Sequence, residues 1–285
     1  KGIKLIQKDD GFQNVMRRFL KGDEGMIPDV TWAIKHNSSE DNKYNYVTNQ
    51  TGFTLQDLVS YDAKHNEENG ENNQDGPDYN YSWNCGAEGP SRKKAIVELR
   101  KKQIRNALML LLLSQGTPCL LAGDEFGNTQ KGNNNVYCQD NETAWLNWNK
   151  KKMNEALFEY VRTLIQFRKE HTSLHKKMPL LGMDKTACGL PDISFHGELA
   201  WQTPAAVYSR QLGVLYCDNE AKQDTCYIAY NMHWLKHTFA LPSLPKGKKW
   251  YRVMDTATED FDEKLEEMQK TVRLNERSIV VLCGK

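Results

Sequence analysis

The stretch Tyr44-Asn-Tyr-Val-Thr-Asn-Gln-Thr-Gly-Phe-Thr-Leu55 changes its side-chain pattern halfway along. Residues 43–48 alternate and are rich in tyrosine and valine, which predicts a β-strand. Residues 54–61 place Leu55, Leu58 and Val59 on one face, which predicts a short helix. We therefore expect a strand that leads through a polar turn into a helix.

Similar elements lie on both sides of this stretch. Asp9-Asp10 can cap a helix that runs to about residue 20, and residues 151–170 form another amphipathic helix. Residues 92–115 predict a long helix that Gly116 ends. Residues 117–123 are a short apolar run, typical of a strand buried on both faces. A helix, a short turn and a buried strand in succession are typical of an α/β barrel.

The pattern changes from about Leu181 onward, where short β-rich runs alternate with turn residues. Such a series predicts a small antiparallel β-sandwich. We place a domain boundary near residues 175–190, which gives a first domain over residues 1–180 and a second over residues 181–285. The predicted strands cover residues 193–196, 206–209, 226–230, 237–241, 250–254 and 278–282.

The overall charge is balanced, with 38 basic and 37 acidic side chains among 285 residues. This balance gives no support to binding of nucleic acid, which requires a broad basic surface. The local runs Arg92-Lys-Lys94 and Arg100-Lys-Lys102 are interpreted as the solvated face of a helix. The longest apolar run, residues 107–113, is too short to span a bilayer, so we expect no membrane partner.

The seven cysteines are spread along the chain, and no two of them have the spacing of a zinc-binding or redox motif. This distribution predicts reduced thiols in a cytoplasmic protein. The asparagine-rich residues 62–90 do not match the spacing of a calcium loop. We therefore predict no metal ion and no cofactor.

The polar residues 123–141 follow the predicted buried strand, where active-site loops of α/β barrels lie. Three consecutive asparagines and one tyrosine in this loop suit recognition of a sugar, since amides can bond adjacent hydroxyls and a flat ring can stack. The alternative is a surface loop that its own asparagine side chains stabilise. The chemistry of the residues leaves both interpretations open.

An ordered series of motifs resembles bacterial glycogen-debranching enzymes of the isoamylase type, in the α-amylase superfamily of glycoside hydrolases. The opening stretch is similar to the seventh barrel strand of that family, and Gly132-Asn-Asn-Asn-Val-Tyr-Cys-Gln-Asp-Asn141 is similar to its eighth-strand loop. The resemblance implies the C-terminal part of a (β/α)8 barrel, about strands six to eight, followed by the sandwich. It also implies a cleft for an α-glucan, such as glycogen or branched maltooligosaccharides, lined by Gln50, Thr51, Phe53, Asn133, Asn134, Asn135, Tyr137, Gln139 and Asp140.

The family has a His-Asp pair where this chain has Gln50-Thr51, so one carboxylate of the family's active site is replaced by a hydroxyl. The resemblance places the nucleophile and the general acid/base after strands four and five, upstream of Lys1. Asp124 and Glu125 cannot replace them, because adjacent residues of an extended segment point to opposite faces. We therefore predict no catalytic residue in this chain.

The leading interpretation is the C-terminal part of a debranching enzyme that acts on α-1,6 branches and is inactive as this chain alone. A non-catalytic glucan-binding or regulatory subunit, or the remnant of a split gene, remains as an alternative. Because three barrel strands have unpaired edges, we also expect a partner polypeptide that carries the missing strands, or self-association.

Overall fold

The computed structural model describes residues 7–8, 10–37, 43–218, 224–258, 266–268 and 270–285. Asp9, part of the predicted helix cap, lies outside this set. In the first part of the chain, helices follow short parallel strands that form a sheet of order β1-β2-β3. These elements are β1 (Gln7–Lys8), α1 (Asp10–Lys21), α2 (Ile27–Lys35), β2 (Lys43–Asn45), α3 (Leu55–Leu58), α4 (Lys94–Leu112), β3 (Thr117–Pro118), α5 (Asn149–Met153) and α6 (Glu155–Glu170).

The opening stretch folds as its pattern predicts, although the strand is short. Strand β2 ends at Asn45, and helix α3 begins after Thr54, whose side chain accepts a hydrogen bond from the Asp57 amide at 3.2 Å. A threonine in this position satisfies one of the unpaired amides of the first helical turn. Gly116 has φ +86°, in the left-handed region that glycine adopts easily, and it separates α4 from β3.

The prediction of a strand buried on both faces over residues 117–123 is wrong. Strand β3 covers Thr117–Pro118 alone, and Thr117, Cys119 and Ala122 are exposed. Within the described part of the chain, β3 pairs with β2 on one side and has no strand on the other. An apolar strand sequence is buried on both faces when neighbouring strands and helices cover it.

The second part of the chain forms antiparallel sheets, as predicted. A six-stranded sheet has the order β4-β5-β6-β11-β8-β9, and β7 and β10 form a second, two-stranded sheet. Apolar side chains of both sheets share one buried cluster, which includes Phe239 and Val280. The strands are β4 (Ile193–His196), β5 (Gln211–Asp218), β6 (Asp224–Asn231), β7 (His237–Ala240), β8 (Trp250–Asp255), β9 (Glu266–Met268), β10 (Thr271–Leu274) and β11 (Ser278–Gly284).

Two details of this part differ from the sequence prediction. Residues 206–209 form a turn and not a strand, and the strand β5 follows them. Every residue of β5 is buried, so its sequence lacks the alternation that marks a strand with one solvated face. Strands β9 and β10 were also not predicted.

A larger hydrophobic core joins the helices to the six-stranded sheet. It contains Phe19 of α1, Leu108 of α4 and Leu164 of α6 together with Val214 and Ile279 of the sheet. The edge-on contact of Phe19 with Tyr230, with ring centroids 6.2 Å apart, belongs to this layer. The division into residues 1–180 and 181–285 stays a prediction, since apolar packing is continuous across it.

The basic face of α4 is less solvated than its sequence suggests. Arg92, Lys93 and Lys94 are exposed, whereas Arg100 is buried. Its guanidinium donates to the carbonyl oxygens of Asn84 and Gly89, at 2.9 and 2.7 Å. The Arg100 guanidinium thus satisfies backbone carbonyl groups of the long loop before α4. The spacing of apolar residues along the helix cannot reveal such a contact. The helices that the structure describes are all too short or too polar to cross a membrane.

Candidate functional site

The carboxyl ends of β1 and β2 bring together five side chains, which we call the strand-end cluster: Lys8, Asp10, Tyr46, Asn49 and Thr51. Lys8 Nζ lies 3.5 Å from the Thr51 hydroxyl and 5.1 Å from the centre of the Tyr46 ring. The Tyr46 hydroxyl donates to Asp10. The Thr51 amide and hydroxyl both donate to Asn49 Oδ1, at 2.8 and 2.7 Å.

Asp124 lies beneath the loop that follows β2 and is fully buried. Its carboxylate accepts hydrogen bonds from the Thr48 hydroxyl and, at 2.8 Å, from the Leu55 amide. Burial raises the pKa of Asp124 to about 7, although both hydrogen bonds favour the charged form. The carboxyl group therefore ties the two ends of the loop together and is partly protonated near neutral pH.

Arg17 is a second buried charged group under the same loop. Its Nε donates to the Val47 carbonyl at 2.6 Å, and its Nη1 donates to the Asn80 carbonyl at 3.0 Å. Its Nη2 is buried without a hydrogen-bond partner among the described residues. Burial lowers the pKa of Arg17 to about 10, while the charge of Asp124 acts in the opposite direction. Arg17 thus links the end of β2 to the asparagine-rich loop.

That loop and the loop after β3 are joined by a group of side-chain amides, here called the amide network. The buried residues Asn66 and Asn134 share two hydrogen bonds: Asn66 Nδ2 donates to Asn134 Oδ1 at 2.8 Å, and the backbone N–H of Asn134 donates to Asn66 Oδ1 at 2.9 Å. Asn134 Nδ2 also donates to Asn80 Oδ1 and to the Pro77 carbonyl. Further members of the network are Asn69, Asn73, Asp75, Asn133, Asn135 and Gln139.

The structure places the nine predicted cleft residues in three kinds of environment. Gln50 and Thr51 are exposed in the loop after β2, and Phe53 is fully buried in the core. Tyr137 is 73% exposed and presents its ring to solvent. Hydrogen bonds within the protein engage the side chains of Asn133, Asn134, Asn135, Gln139 and Asp140.

Asn133 and Asn134 therefore agree with the alternative interpretation of residues 123–141, a surface loop that its own asparagine side chains stabilise. The amides of both residues are directed inward. A sugar-facing role for the nine residues stays a prediction. Of the nine residues, Gln50, Thr51, Tyr137 and Asp140 are exposed.

Two local expectations for this region are corrected by the geometry. Asp124 and Glu125 lie in a tight turn (Asp124–Phe126) and not on an extended segment. They nevertheless point to different places, because Glu125 accepts a hydrogen bond from the Gly123 amide. Tryptophan side chains are largely buried in most folded proteins, which predicts that Trp145 and Trp148 close the core under the loop, yet both are more than half exposed.

Sequence reasoning missed Lys8, Asp10 and Arg17 as parts of this region. Asp10 is explained by its position as a helix cap, and its carboxylate also accepts a hydrogen bond from the Tyr46 hydroxyl. The signal for Arg17 is its position on the apolar face of α1, where an arginine has to satisfy its charge with buried acceptors. The strand-end cluster itself contains one carboxylate, Asp10, whereas a retaining glycosidase needs two carboxyl groups about 5–5.5 Å apart.

Comparison with known proteins agrees with the fold. The family model for the isoamylase C-terminal domain matches residues 206–284. The chain is 36% identical over 237 residues to a GlgX homolog (glycogen operon protein) of Mycobacterium tuberculosis, which covers 74% of this chain and 32% of the relative. It is 35% identical over 263 residues to chloroplastic isoamylase 1 of Arabidopsis thaliana, covering 86% of this chain and 31% of the relative.

Among solved structures, the pullulanase from Bacillus acidopullulyticus superposes with a TM-score of 0.68 at 18% identity, covering 98% of this chain and 30% of that one. These matches define the fold class as the end of a barrel followed by a β-sandwich. The chain belongs to the isoamylase-type family of glycogen-debranching enzymes and matches their C-terminal portion. It spans about a third of the length of the curated relatives that it matches.

We expect Asp124→Asn to change the pH dependence of stability. The pKa of about 7 in the folded chain lies above the ordinary aspartate value of 3.8, so the folded chain holds this proton more tightly than the unfolded chain. The contribution of Asp124 is therefore most favourable below about pH 4, falls as the pH rises to about 7, and is constant above it. Relative to the variant, the wild type should lose a few kcal/mol over this range, since one pKa unit corresponds to about 1.4 kcal/mol.

Urea unfolding of both proteins between pH 4 and pH 8 measures this difference. Glu71→Gln is the control, because it removes an exposed carboxylate that is not among the groups acting on Asp124 and should leave the slope of the wild type unchanged. Parallel pH profiles of the wild type and Asp124→Asn would contradict the assignment of the buried proton.

Asn134→Ala should destabilise the chain by roughly 2–4 kcal/mol, because it removes three hydrogen bonds and leaves buried partners unpaired. Hydrogen exchange should show faster opening of residues 64–80 and 130–141 together. Gln74→Ala alters an exposed amide of the same loop and should leave both quantities unchanged. Independent opening of the two segments would show that the amide network does not couple them.

Proposed function

We propose that this chain supplies the C-terminal part of a glycogen-debranching glycoside hydrolase that acts on α-1,6 branches, and that it does not hydrolyse glucan by itself. The observation that carries the proposal is Thr51. It lies at the carboxyl end of a barrel strand, at the position where the resemblance implies a carboxylate, and it is bonded to Asn49. Family membership supports the substrate class, and the strand-end cluster supports the lack of hydrolysis.

The chemistry of the cluster explains why hydrolysis is not expected. A threonine hydroxyl can donate a hydrogen bond but cannot stabilise positive charge that develops at an anomeric carbon. Lys8 Nζ lies 3.5 Å from the Thr51 hydroxyl, and its positive charge opposes such a transition state. Loss of one electrostatic group of an active site typically lowers the rate by about 10²–10³-fold.

Binding of a glucan without turnover is the second candidate function, and the exposure of Tyr137 favours it. The ring is 73% exposed, on a loop whose neighbouring residues are fixed by the amide network. A flat aromatic ring that is open to solvent, on a loop held by hydrogen bonds, suits stacking on a sugar ring. The binding surface would be preformed, which reduces the entropy lost when a ligand binds.

Both candidates are tested with the purified chain, glycogen and maltohexaose. We expect no release of reducing ends from glycogen, with chloroplastic isoamylase 1 as the active reference. Affinity electrophoresis on glycogen gels should show retention that Tyr137→Ala weakens roughly three- to tenfold, the loss of about 1 kcal/mol of stacking. Tyr208→Ala removes an equally exposed tyrosine elsewhere and is the control. Measurable hydrolysis would refute the first proposal, and unretarded migration would refute the second.

We further propose that the edges of the short parallel sheet associate with a polypeptide that carries the remaining barrel strands, or with a second copy of this chain. Cys119 follows β3; its amide pairs with the Asn45 carbonyl at 2.7 Å, and its side chain is exposed. The described part of the chain supplies no strand on the other side of β3. Unpaired strand edges of this kind recruit other strands.

Light scattering under reducing conditions tests self-association. The wild type should have a mass above the 32.8 kDa of one chain, rising with concentration. Cys119→Lys should shift the mass toward one chain, because a charge beside an edge strand opposes strand pairing. Cys138→Lys changes an exposed thiol outside the sheet and should have no effect. A monomeric wild type at every concentration would rule out self-association and leave the partner polypeptide as the remaining form of the proposal.

A further inference from the structure

A group of thiols and an imidazole lies far along the chain from the strand-end cluster, where the end of α6 meets the six-stranded sheet. His171 follows the last residue of α6, and its ring packs on Phe167 with centroids 4.0 Å apart. Cys226 of β6 and Cys283 of β11 are directly opposite each other in the antiparallel pair, with their sulfur atoms 4.0 Å apart. One donor atom from each of the three side chains lies within 4.8 Å of the others.

We infer that His171, Cys226 and Cys283 form a binding site for a thiophilic divalent cation of the Zn²⁺ type. Two thiolates and one imidazole are a ligand set that suits this ion, because soft sulfur donors select it over magnesium or calcium. Three protein ligands leave the fourth tetrahedral position for water or an external ligand. The His171 side chain is 19% exposed, so the site has contact with solvent.

The spacing of the donor atoms agrees with tetrahedral geometry. Zn–S bonds of about 2.3 Å at the tetrahedral angle place two sulfur atoms about 3.8 Å apart. The observed separation of Cys226 and Cys283 is 4.0 Å. His171 Nε2 lies 3.9 Å from Cys283 Sγ, close to the value of about 3.6 Å expected for a nitrogen and a sulfur on one ion.

Asp224 orients the imidazole of His171, as a carboxylate hydrogen-bonded to a metal-binding histidine does in metal sites. Asp224 Oδ1 lies 2.6 Å from His171 Nδ1, and Oδ2 accepts hydrogen bonds from the Ser173 amide and hydroxyl at 3.0 and 2.6 Å. In a neutral imidazole this places the proton on Nδ1 and leaves the lone pair on Nε2, which is the tautomer that a metal ion requires. Cys226 Sγ is nearest to Nδ1, at 3.4 Å, so metal binding would draw the ring toward the two sulfur atoms.

A disulfide between Cys226 and Cys283 is the competing use of the same sulfur atoms. It requires the atoms to approach to about 2.05 Å, far closer than the separation in the structure. It also gives no role to the imidazole or to the carboxylate that fixes its proton. The combination of Asp224, His171 and two facing thiols therefore favours a metal ion.

The test uses the reduced chain with Cys119→Ser and Cys138→Ser, since these exposed thiols would bind metal non-specifically. Co²⁺ serves as the spectroscopic probe and Zn²⁺ as its competitor. We expect one equivalent of Co²⁺, a thiolate-to-cobalt charge-transfer band of two-sulfur intensity, and displacement by Zn²⁺. Cys226→Ser and Cys283→Ser should each abolish the binding, whereas Cys217→Ser, which alters another buried thiol of the same sheet, should preserve it.

Asp224→Asn provides a test that keeps both sulfur atoms. Loss of a carboxylate behind a metal-bound histidine should weaken Co²⁺ affinity about 10–100-fold, with the charge-transfer band unchanged at saturation. Circular dichroism separates loss of metal from loss of fold in every variant. Absence of stoichiometric Co²⁺ binding by the folded parent, or full binding by Cys226→Ser and Cys283→Ser, would overturn the inference. So would quantitative formation of the Cys226–Cys283 disulfide in air that added Zn²⁺ does not prevent.

Discussion

Two buried charged side chains hold the loop between β2 and α3 from below, and the geometry of the candidate site depends on them. Arg17 binds the backbone at Val47, and Asp124 binds Thr48 and the Leu55 amide. Transfer of charged groups into the interior is expensive unless hydrogen bonds or opposite charges compensate. Here the loop between β2 and α3 supplies much of that compensation, so a movement of the loop would remove hydrogen-bond partners from both charges.

The amide network extends this constraint across the two long loops. Asn80 connects them to Arg17, since its carbonyl accepts from the guanidinium and its side chain accepts from Asn134. Neutral amides suit this role because each has both donors and acceptors and carries no net charge to desolvate. The result is a rigid polar surface from which Tyr137 projects. Side-chain amides that form these internal hydrogen bonds are not fully available to bind a sugar.

Elements that depend on nearby residues could be predicted from the sequence, and those that depend on distant partners could not. Helix α3 follows from the Thr54 cap and from the spacing of Leu55 and Leu58. Strand β3 looked buried on both faces because its sequence cannot show whether a neighbouring strand is present. Asn66 and Asn134 are 68 positions apart, and their mutual pairing has no local signal. The cysteines 226 and 283 are separated by 57 positions, so a search for short metal-binding spacings could not find them.

The family resemblance directs attention to the loop after β2, and the structure explains how that loop can keep its shape with altered chemistry. Arg17 and Asp124 contact the loop through the backbone at positions 47 and 55 and through Thr48, not through the side chains of Gln50 or Thr51. Thr51 is held by Asn49, from within the same loop. A hydroxyl in place of the carboxylate that the resemblance implies at position 51 therefore changes the charge of the loop without removing a support of the fold. Fold and catalytic charge are separable here, because different atoms of the same loop carry them.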